Sequence, residues 1–425
     1  MRTRALVAAV VAVLALAPSL APSLWAAEAL PRARPEQVGL SSERLGRVSR
    51  VLNEEIEKGK IPGAIALVAR RGRIAYFESF GVLDPATRAP MTKDAIFRIY
   101  SMAKPMTSVA VMMLQEEGRL VLNDPISKFL PQLTNLHVSV EKKDRATGQT
   151  TFELVPATRE ITIHDLLRHT SGFTYGGRTT NPVVREAYAR GGVDARDLTN
   201  ADLVDRLATV PLVHQPGTAW EYGRSTDVLG RLVEVISGKT LGVFLGERVF
   251  TPLAMKDSGF FVPKDRLARV AQPFAVDPAT GDKISLIDVS TPPKYESGGG
   301  GGVSTAGDYI RFSQMLLNGG RLNGVRLLSR TTVGFMTSDH LGRISDTHRT
   351  PGYTFGLGFQ VRKDTGLAGQ AGSVGEYGWA GAGGTYFWID PKEQLVAILM
   401  TQAPGPSRTH YRQLFKELVE QALVD

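Results

Sequence analysis

The sequence has no cysteine among its 425 residues. Disulfides, thiolate nucleophiles, cysteine-ligated metal clusters and a lipid anchor on cysteine are therefore excluded. Runs of like charge are missing as well. Lysine and arginine number 50 against 42 acids, a net charge of +8, and the excess is spread along the chain. A nucleic-acid footprint needs basic residues gathered on one face, so no nucleic-acid partner is expected. No apolar run reaches the roughly 20 residues that span a bilayer. Neither a G-x-x-x-x-G-K-[ST] loop nor an H-E-x-x-H pair occurs, which leaves nucleotide and zinc-peptidase chemistry without support. His164 and His169, five apart, miss that spacing and read as structural residues near Thr170-Ser171-Gly172. No metal and no cofactor is expected.

What is present is ordinary globular composition, 43% hydrophobic and 22% charged. Arg2 and Arg4 precede an apolar run of 13 residues, Ala5 to Ala17, interrupted afterwards by Pro18 and Pro22. With small residues at Ala26-Ala27, residues 1–27 read as a secretory signal peptide. The mature protein is then expected to be exported, periplasmic or secreted, with no stable membrane span once the signal is removed.

β-branched and aromatic residues around Arg71-Gly72 predict a hairpin, Ala64 to Ala69 and Ile74 to Phe80. A second is predicted near the carboxyl end, Thr385 to Asp390 and Leu395 to Thr401 around Pro391-Lys392-Glu393. Helices flank them, about Ser42 to Lys58 and about Thr409 to Leu423. Strands at both ends and a mostly helical middle imply an α/β (α+β) fold, with one sheet closed by both termini. Its parts are about 36–120 and 300–423 of a domain spanning 36–423, with a helical insertion at about 121–299. The charged, breaker-rich stretch Glu141 to Gln149 reads as an exposed loop. Five glycines, Gly298 to Gly302, read either as a flexible linker or as close backbone approach beside a site.

The strongest chemical signal is Tyr100-Ser101-Met102-Ala103-Lys104-Pro105. Residues three apart share one helix face, which puts Lys104 beside Ser101. A serine hydroxyl is a poor nucleophile until a neighbouring base or ammonium group activates it. Proline is tolerated in the first helical turn, so Pro105 places the helix start near Ser101. The N–H groups of that turn suit a developing oxyanion. A second S-x-x-K, Ser139 to Lys142, sits in a polar stretch and reads as solvated loop. A G-x-S-x-G elbow at Ser373, with Asp390 and His410 after it, lacks the helix that such an elbow needs.

Five stretches extend the signal: Phe97 to Lys104, Ile161 to Gly172, Pro216-Gly217-Thr218-Ala219-Trp220-Glu221-Tyr222, Gly299 to Thr305, and Gly378 to Pro391. Together they resemble the serine β-lactamase and penicillin-binding superfamily, most of all the class C-like branch that includes family VIII carboxylesterases. The resemblance implies a β-lactamase-like fold with Ser101 as nucleophile, Lys104 as proton-handling partner and Tyr222 as assisting base and acid. A tyrosine, with a usual pKa near 10, acts as a base near neutrality only when a cation lowers it. Lys104 would supply that cation, and Tyr295 is a rival tyrosine. The third family motif falls at Trp379-Ala380-Gly381, and Ala382 would offer an oxyanion N–H together with Ser101. Trp379 stands where β-lactamases carry a cation, and Arg224 where the family's Tyr-x-Asn has asparagine. Arg224 is thus a candidate carboxylate anchor. The expected protein is an exported serine hydrolase that cleaves small-molecule esters through an acyl-enzyme. The alternatives are a β-lactamase or D-amino-acid peptidase acting on amides, and a non-catalytic module that binds peptidoglycan or β-lactams.

Overall fold

The computed structural model describes residues 30–344 and 350–425, so the expected signal peptide lies outside the described residues. An eight-stranded sheet organises the chain. Its order runs Tyr353–Phe355, Gln360–Arg362, Tyr377–Ala380, Tyr386–Asp390, Leu395–Thr401, Gly63–Arg70, Arg73–Asp84 and Ala89–Pro90. Every neighbouring pair is antiparallel. The two predicted hairpins are the middle of this sheet, joined by the register Ala64↔Thr401 to Arg70↔Leu395. The first is longer than predicted, reaching Asp84, and its turn residues Arg71 and Gly72 both take positive φ, 52° and 72°. Such dihedrals match the turn to the strand twist.

Alternation along the central strands divides their side chains between two cores. Ile65, Leu67 and Ala69 join Val396, Ile398 and Met400 in the main core, which also holds the helix Lys104–Glu116. Ala64, Ala66 and Val68 face the other way, against the terminal helices Ser42–Glu57 and Arg408–Glu420 through Val48, Leu52, Tyr411 and Phe415. Helix Lys104–Glu116 is buried without a break from Lys104 to Leu114, as an all-round apolar helix must be. It packs on the helix Ser225–Ser237. Gly118, φ 70°, ends it.

Two expectations fail in the middle of the chain. Glu141 to Lys143 are not loop: they finish the strand His137–Lys143, which pairs with Thr150–Pro156, and only 144–149 form the turn. A two-stranded ribbon with polar residues on both faces has no apolar alternation to betray it. Ser139 is buried in that strand, bonded to Asn181, while Lys142 pairs with Glu153. Residues three apart on a strand face opposite ways, so this S-x-x-K is no pair.

At the sheet edge a buried ionic cluster ties the strand Gln360–Arg362 to the last helix. Glu376 accepts from Arg362 at 3.1 Å, Lys416 at 2.8 Å and the Tyr353 hydroxyl at 2.8 Å. Removing one member of such a cluster strands the other charges in low dielectric, at a cost of about 3–5 kcal/mol. Glu376→Ala should therefore lower Tm by several degrees in a thermal melt. A melt superimposable on the wild type would deny the cluster its structural role.

Candidate active site

Strand Phe97–Tyr100 leads directly to Ser101, and Tyr100 makes the reversal with φ 46° and ψ −123°. That conformation costs a non-glycine residue roughly 1–3 kcal/mol. It is held by pairing with Gly302 and by the Ile287 amide, which donates to the Tyr100 hydroxyl at 3.1 Å. Ser101–Ala103 then form one tight 3-10 turn ahead of the helix Lys104–Glu116. Residues three apart eclipse one another in a 3-10 turn. Lys104 Nζ accordingly lies 3.2 Å from Ser101 Oγ.

Lys104 is fully buried, and its ammonium donates to three acceptors: Ser101 Oγ, the Tyr175 hydroxyl at 3.1 Å and the Gly299 carbonyl at 2.5 Å. Burial alone would lower its pKa. The Tyr175, Tyr222 and Asp227 oxygens outweigh burial and hold it above the usual lysine value. Its three contacts suit the ammonium form. From the opposite side the Tyr222 hydroxyl donates to Ser101 Oγ at 2.7 Å and receives the Trp379 indole N–H at 3.3 Å. Lys104 Nζ sits 4.6 Å from the centre of the Tyr222 ring, a cation–π distance. Trp220 stacks on that ring at 5.9 Å and His169 packs at 5.0 Å. His169 is buried, and burial with Lys104 nearby keeps its pKa well below the usual range, so it is a neutral packing partner.

The glycine run is close backbone approach, not a linker. Asp227 accepts from the Gly299 amide at 3.0 Å and from Ser297 Oγ at 2.5 Å, aiming the Gly299 carbonyl at Lys104. A Cβ on Gly299 would lie 2.8 Å from the Asp227 carboxylate, and one on Gly298 2.8 Å from the Thr226 carbonyl. Any side chain would push the run off Lys104.

Gly381 is held as tightly. A Cβ there would come within 2.2 Å of the Ile99 carbonyl, and its amide donates to the Thr385 carbonyl at 2.9 Å. The next residue, Ala382, is exposed. Ser101, Tyr222, Trp379, Gly381 and Ala382 line one pocket of about 330 Å³. Among the described residues, neither the Ser101 nor the Ala382 amide is used in the turns around them. Two free amides beside one hydroxyl make an oxyanion site when a carbonyl is placed between them.

Arg224 is placed differently from expectation. It is outside that pocket, paired with Asp194 and, at 3.6 Å, with Asp227, and it lies over the Tyr175 ring at 5.0 Å. A guanidinium already facing two carboxylates is not a free anchor for a third. The rival Tyr295 bonds Arg224 at 3.3 Å rather than Ser101. Ser373, Asp390 and His410 are joined by no hydrogen bond among the described residues; Asp390 instead caps the hairpin turn through the Lys392 and Glu393 amides. No cluster of His, Asp or Glu among the described residues is placed to hold a metal ion.

Sequence reasoning missed three contributors. Tyr175 touches Lys104, Asp227 holds the glycine run, and Arg178 lies 5.3 Å from the Tyr222 ring centre at the pocket wall. Tyr175 has a local signal, since it follows Thr170-Ser171-Gly172 by three residues. Asp227 has a weaker one, five residues after Tyr222 in an apolar helix. Arg178 has none.

Residues 48–420 match the family described as Beta-lactamase. The Mycobacterium tuberculosis protein Rv1367c is 36% identical over 367 residues, 83% of this chain and 88% of that one. Esterase EstB of Burkholderia gladioli is 30% identical over 372 residues, 84% of this chain and 89% of that one. Among solved structures, EstCE1, a hydrolase with promiscuous acyltransferase activity, superposes with TM-score 0.72 at 26% identity, over 89% of this chain and 98% of its own. The chain belongs to the β-lactamase family and is a serine hydrolase of β-lactamase-like fold.

Proposed function

We propose that this member of the β-lactamase family is an exported carboxylesterase working through an acyl-enzyme on Ser101. One observation carries the reading: Ser101 Oγ lies between the Lys104 ammonium and the Tyr222 hydroxyl at the base of an open pocket. Ser101 Oγ bonds to the ester carbonyl carbon, and the oxyanion is met by the Ser101 and Ala382 amides. Lys104, with all three N–H bonds aimed at acceptors, has no lone pair for the serine proton. In the reactive form Tyr222 is the phenolate, stabilised by the adjacent ammonium; its oxygen takes the serine proton and becomes the neutral hydroxyl. The proton passes to the departing alkoxide as the C–O bond breaks. Water reverses the sequence and releases the acid. EstB, an esterase by name, is one relative in keeping with this reading, and the basic, apolar amino terminus supports export.

A neutral ester is the favoured substrate, because the third motif presents Trp379, one neutral donor on an apolar face. The second reading, an amidase or β-lactamase taking carboxylate-bearing substrates, draws on Arg178 and Arg408. Both line the pocket and have no carboxylate partner among the described residues. A fluorophosphonate label followed by peptide mapping should place the adduct on Ser101; an adduct on Ser373 or Ser139 sinks the assignment. The substrate class is decided by kcat/KM for a p-nitrophenyl ester against a chromogenic cephalosporin. The ester is expected to win. Trp379→Lys should move the ratio ten- to a hundredfold toward the cephalosporin, since a charge-assisted bond to carboxylate is worth about 1.5–3 kcal/mol. Arg224→Ala should leave that ratio alone, because its charge is already matched by Asp194 and Asp227. A wild type that favours the cephalosporin makes the amidase reading the correct one.

A further inference from the structure

Arg412, on the last helix, has no carboxylate partner among the described residues although it is half-buried in the pocket wall. Burial, with Arg408 one turn away, pulls its pKa down to about 10, so it remains a cation. A like charge at i−4 and an unpaired site both oppose keeping an arginine here. Its Nε is buried with no hydrogen-bond partner among the described residues. What its guanidinium does have is the carbonyl of Gly381, to which Nη2 donates.

That carbonyl belongs to the peptide unit whose other end is the Ala382 N–H. A peptide is planar, and no cis bond occurs among the described residues, so carbonyl and N–H point in opposite directions. Fixing one end fixes the other. The Gly381 carbonyl also accepts from the Gly384 amide at 3.0 Å, which closes the turn 381–384. With Gly381 itself held through its amide, the 381–382 peptide plane in this glycine-rich turn is tied by the single Gly384 bond and can still tilt about it. A guanidinium on the carbonyl pins the plane and, by drawing electron density toward the oxygen, makes the N–H a stronger donor.

We propose that Arg412 is a positioning residue for the oxyanion site, setting the direction and donor strength of the Ala382 N–H from the far side of its own peptide. The proposal rests on the reading of Ser101 as nucleophile and Ala382 as oxyanion donor. It explains why a cation is kept on the last helix facing backbone rather than an acid. It also connects the sheet edge to catalysis, because Arg412 shares its helix with Lys416 of the buried ionic cluster.

The test compares wild type, Arg412→Met and Arg412→Lys for hydrolysis of a p-nitrophenyl ester and for inhibition by phenylboronic acid. The boronate takes the serine oxygen as a fourth ligand and so imitates the tetrahedral anion. Deleting an oxyanion donor outright costs about 10²–10³ in kcat, and loosening one costs less. Arg412→Met should lower kcat about 10- to 50-fold with KM within about threefold. Boronate affinity should fall in step with kcat, and Arg412→Lys should restore part of both. Melting curves accompany each variant; if Arg412→Met does not fold, Arg412→Lys alone must show the paired loss of kcat and boronate affinity. A role in packing only would lower Tm without weakening the boronate relative to substrate. Unchanged kcat and boronate affinity in a folded variant overturns the proposal. Fluorophosphonate labelling of the wild type separates the two levels: labelled Ser101 with indifferent Arg412 defeats this inference alone, whereas unlabelled Ser101 defeats the reading beneath it.

Discussion

Ser101→Ala is expected to remove ester turnover, with kcat/KM falling on the order of 10⁴- to 10⁶-fold, the range seen when a serine nucleophile is deleted elsewhere. The fold should survive. Ser101 Oγ has two partners, Lys104 and Tyr222, and both keep others when it goes. Lys104 retains the Tyr175 hydroxyl and the Gly299 carbonyl, so its charge stays satisfied. Tyr222 retains the Trp379 indole and its aromatic surroundings. Nor does the serine side chain cap the helix: no side-chain cap bond is made at either the 3-10 turn or the helix behind it. Circular dichroism and Tm should match the wild type to within a few degrees while the chromogenic ester is left intact. Residual turnover above about one per cent, in protein free of revertant enzyme, would move the nucleophile elsewhere.

The parts of this molecule that were legible in the sequence are those set by local pattern. The central hairpins announce themselves because Ile65, Leu67 and Ala69 alternate with Ala64, Ala66 and Val68 on either side of Arg71-Gly72. Ser101 and Lys104 are legible because their spacing and Pro105 fix a helix start with no help from the rest of the chain. Long-range partnerships are not local pattern. The Gly298 to Gly302 run reads as linker or as wall, the wall favoured by the helical pattern that follows it, but what it walls is not visible until Asp227, some 70 residues earlier, is seen holding it. Arg224 looks like a free cation until Asp194 and Asp227 are found against it, and both pairings depend on how the middle of the chain wraps. The ribbon of His137 to Pro156 was hidden for a different reason. Its two strands bury little, so the apolar period that identifies a strand is weak there.

Tyr175 is the residue that most alters what a mutant series should find. The sequence offers Tyr295 as the rival to Tyr222, yet Tyr295 faces Arg224, while Tyr175 touches Lys104. Tyr175 is half-buried, and the desolvation of its hydroxyl, against the pull of Lys104, pushes its pKa up to about 12. It therefore stays a neutral hydroxyl that accepts from the ammonium and takes no proton itself. Tyr175→Phe should cost less than about tenfold in kcat, by removing one of three acceptors from Lys104.

Lys104 and Tyr222 should behave as one unit with far larger losses. Lys104→Met keeps most of the buried stem while removing the cation, and Tyr222→Phe keeps the ring while removing the hydroxyl. Each acts on the same proton transfer from Ser101 Oγ, so each is expected to lower kcat by about 10³- to 10⁴-fold, and the double variant little further. The physical reason is the shared geometry: the ammonium is 3.2 Å from Oγ and 4.6 Å from the Tyr222 ring centre. Without the cation, the phenolate form of Tyr222 that takes the serine proton is no longer stabilised; without that oxygen, the cation has no base to support. The measurement is single-turnover kcat for wild type, both single variants and the double variant, on one p-nitrophenyl ester, with Tm recorded for each. Losses in log rate that simply add would make the two residues independent and end the shared proton-transfer role. Near-normal turnover in Tyr222→Phe would assign the serine proton to a deprotonated Lys104. The three contacts around Nζ suit the ammonium form, which offers three N–H donors and no lone pair.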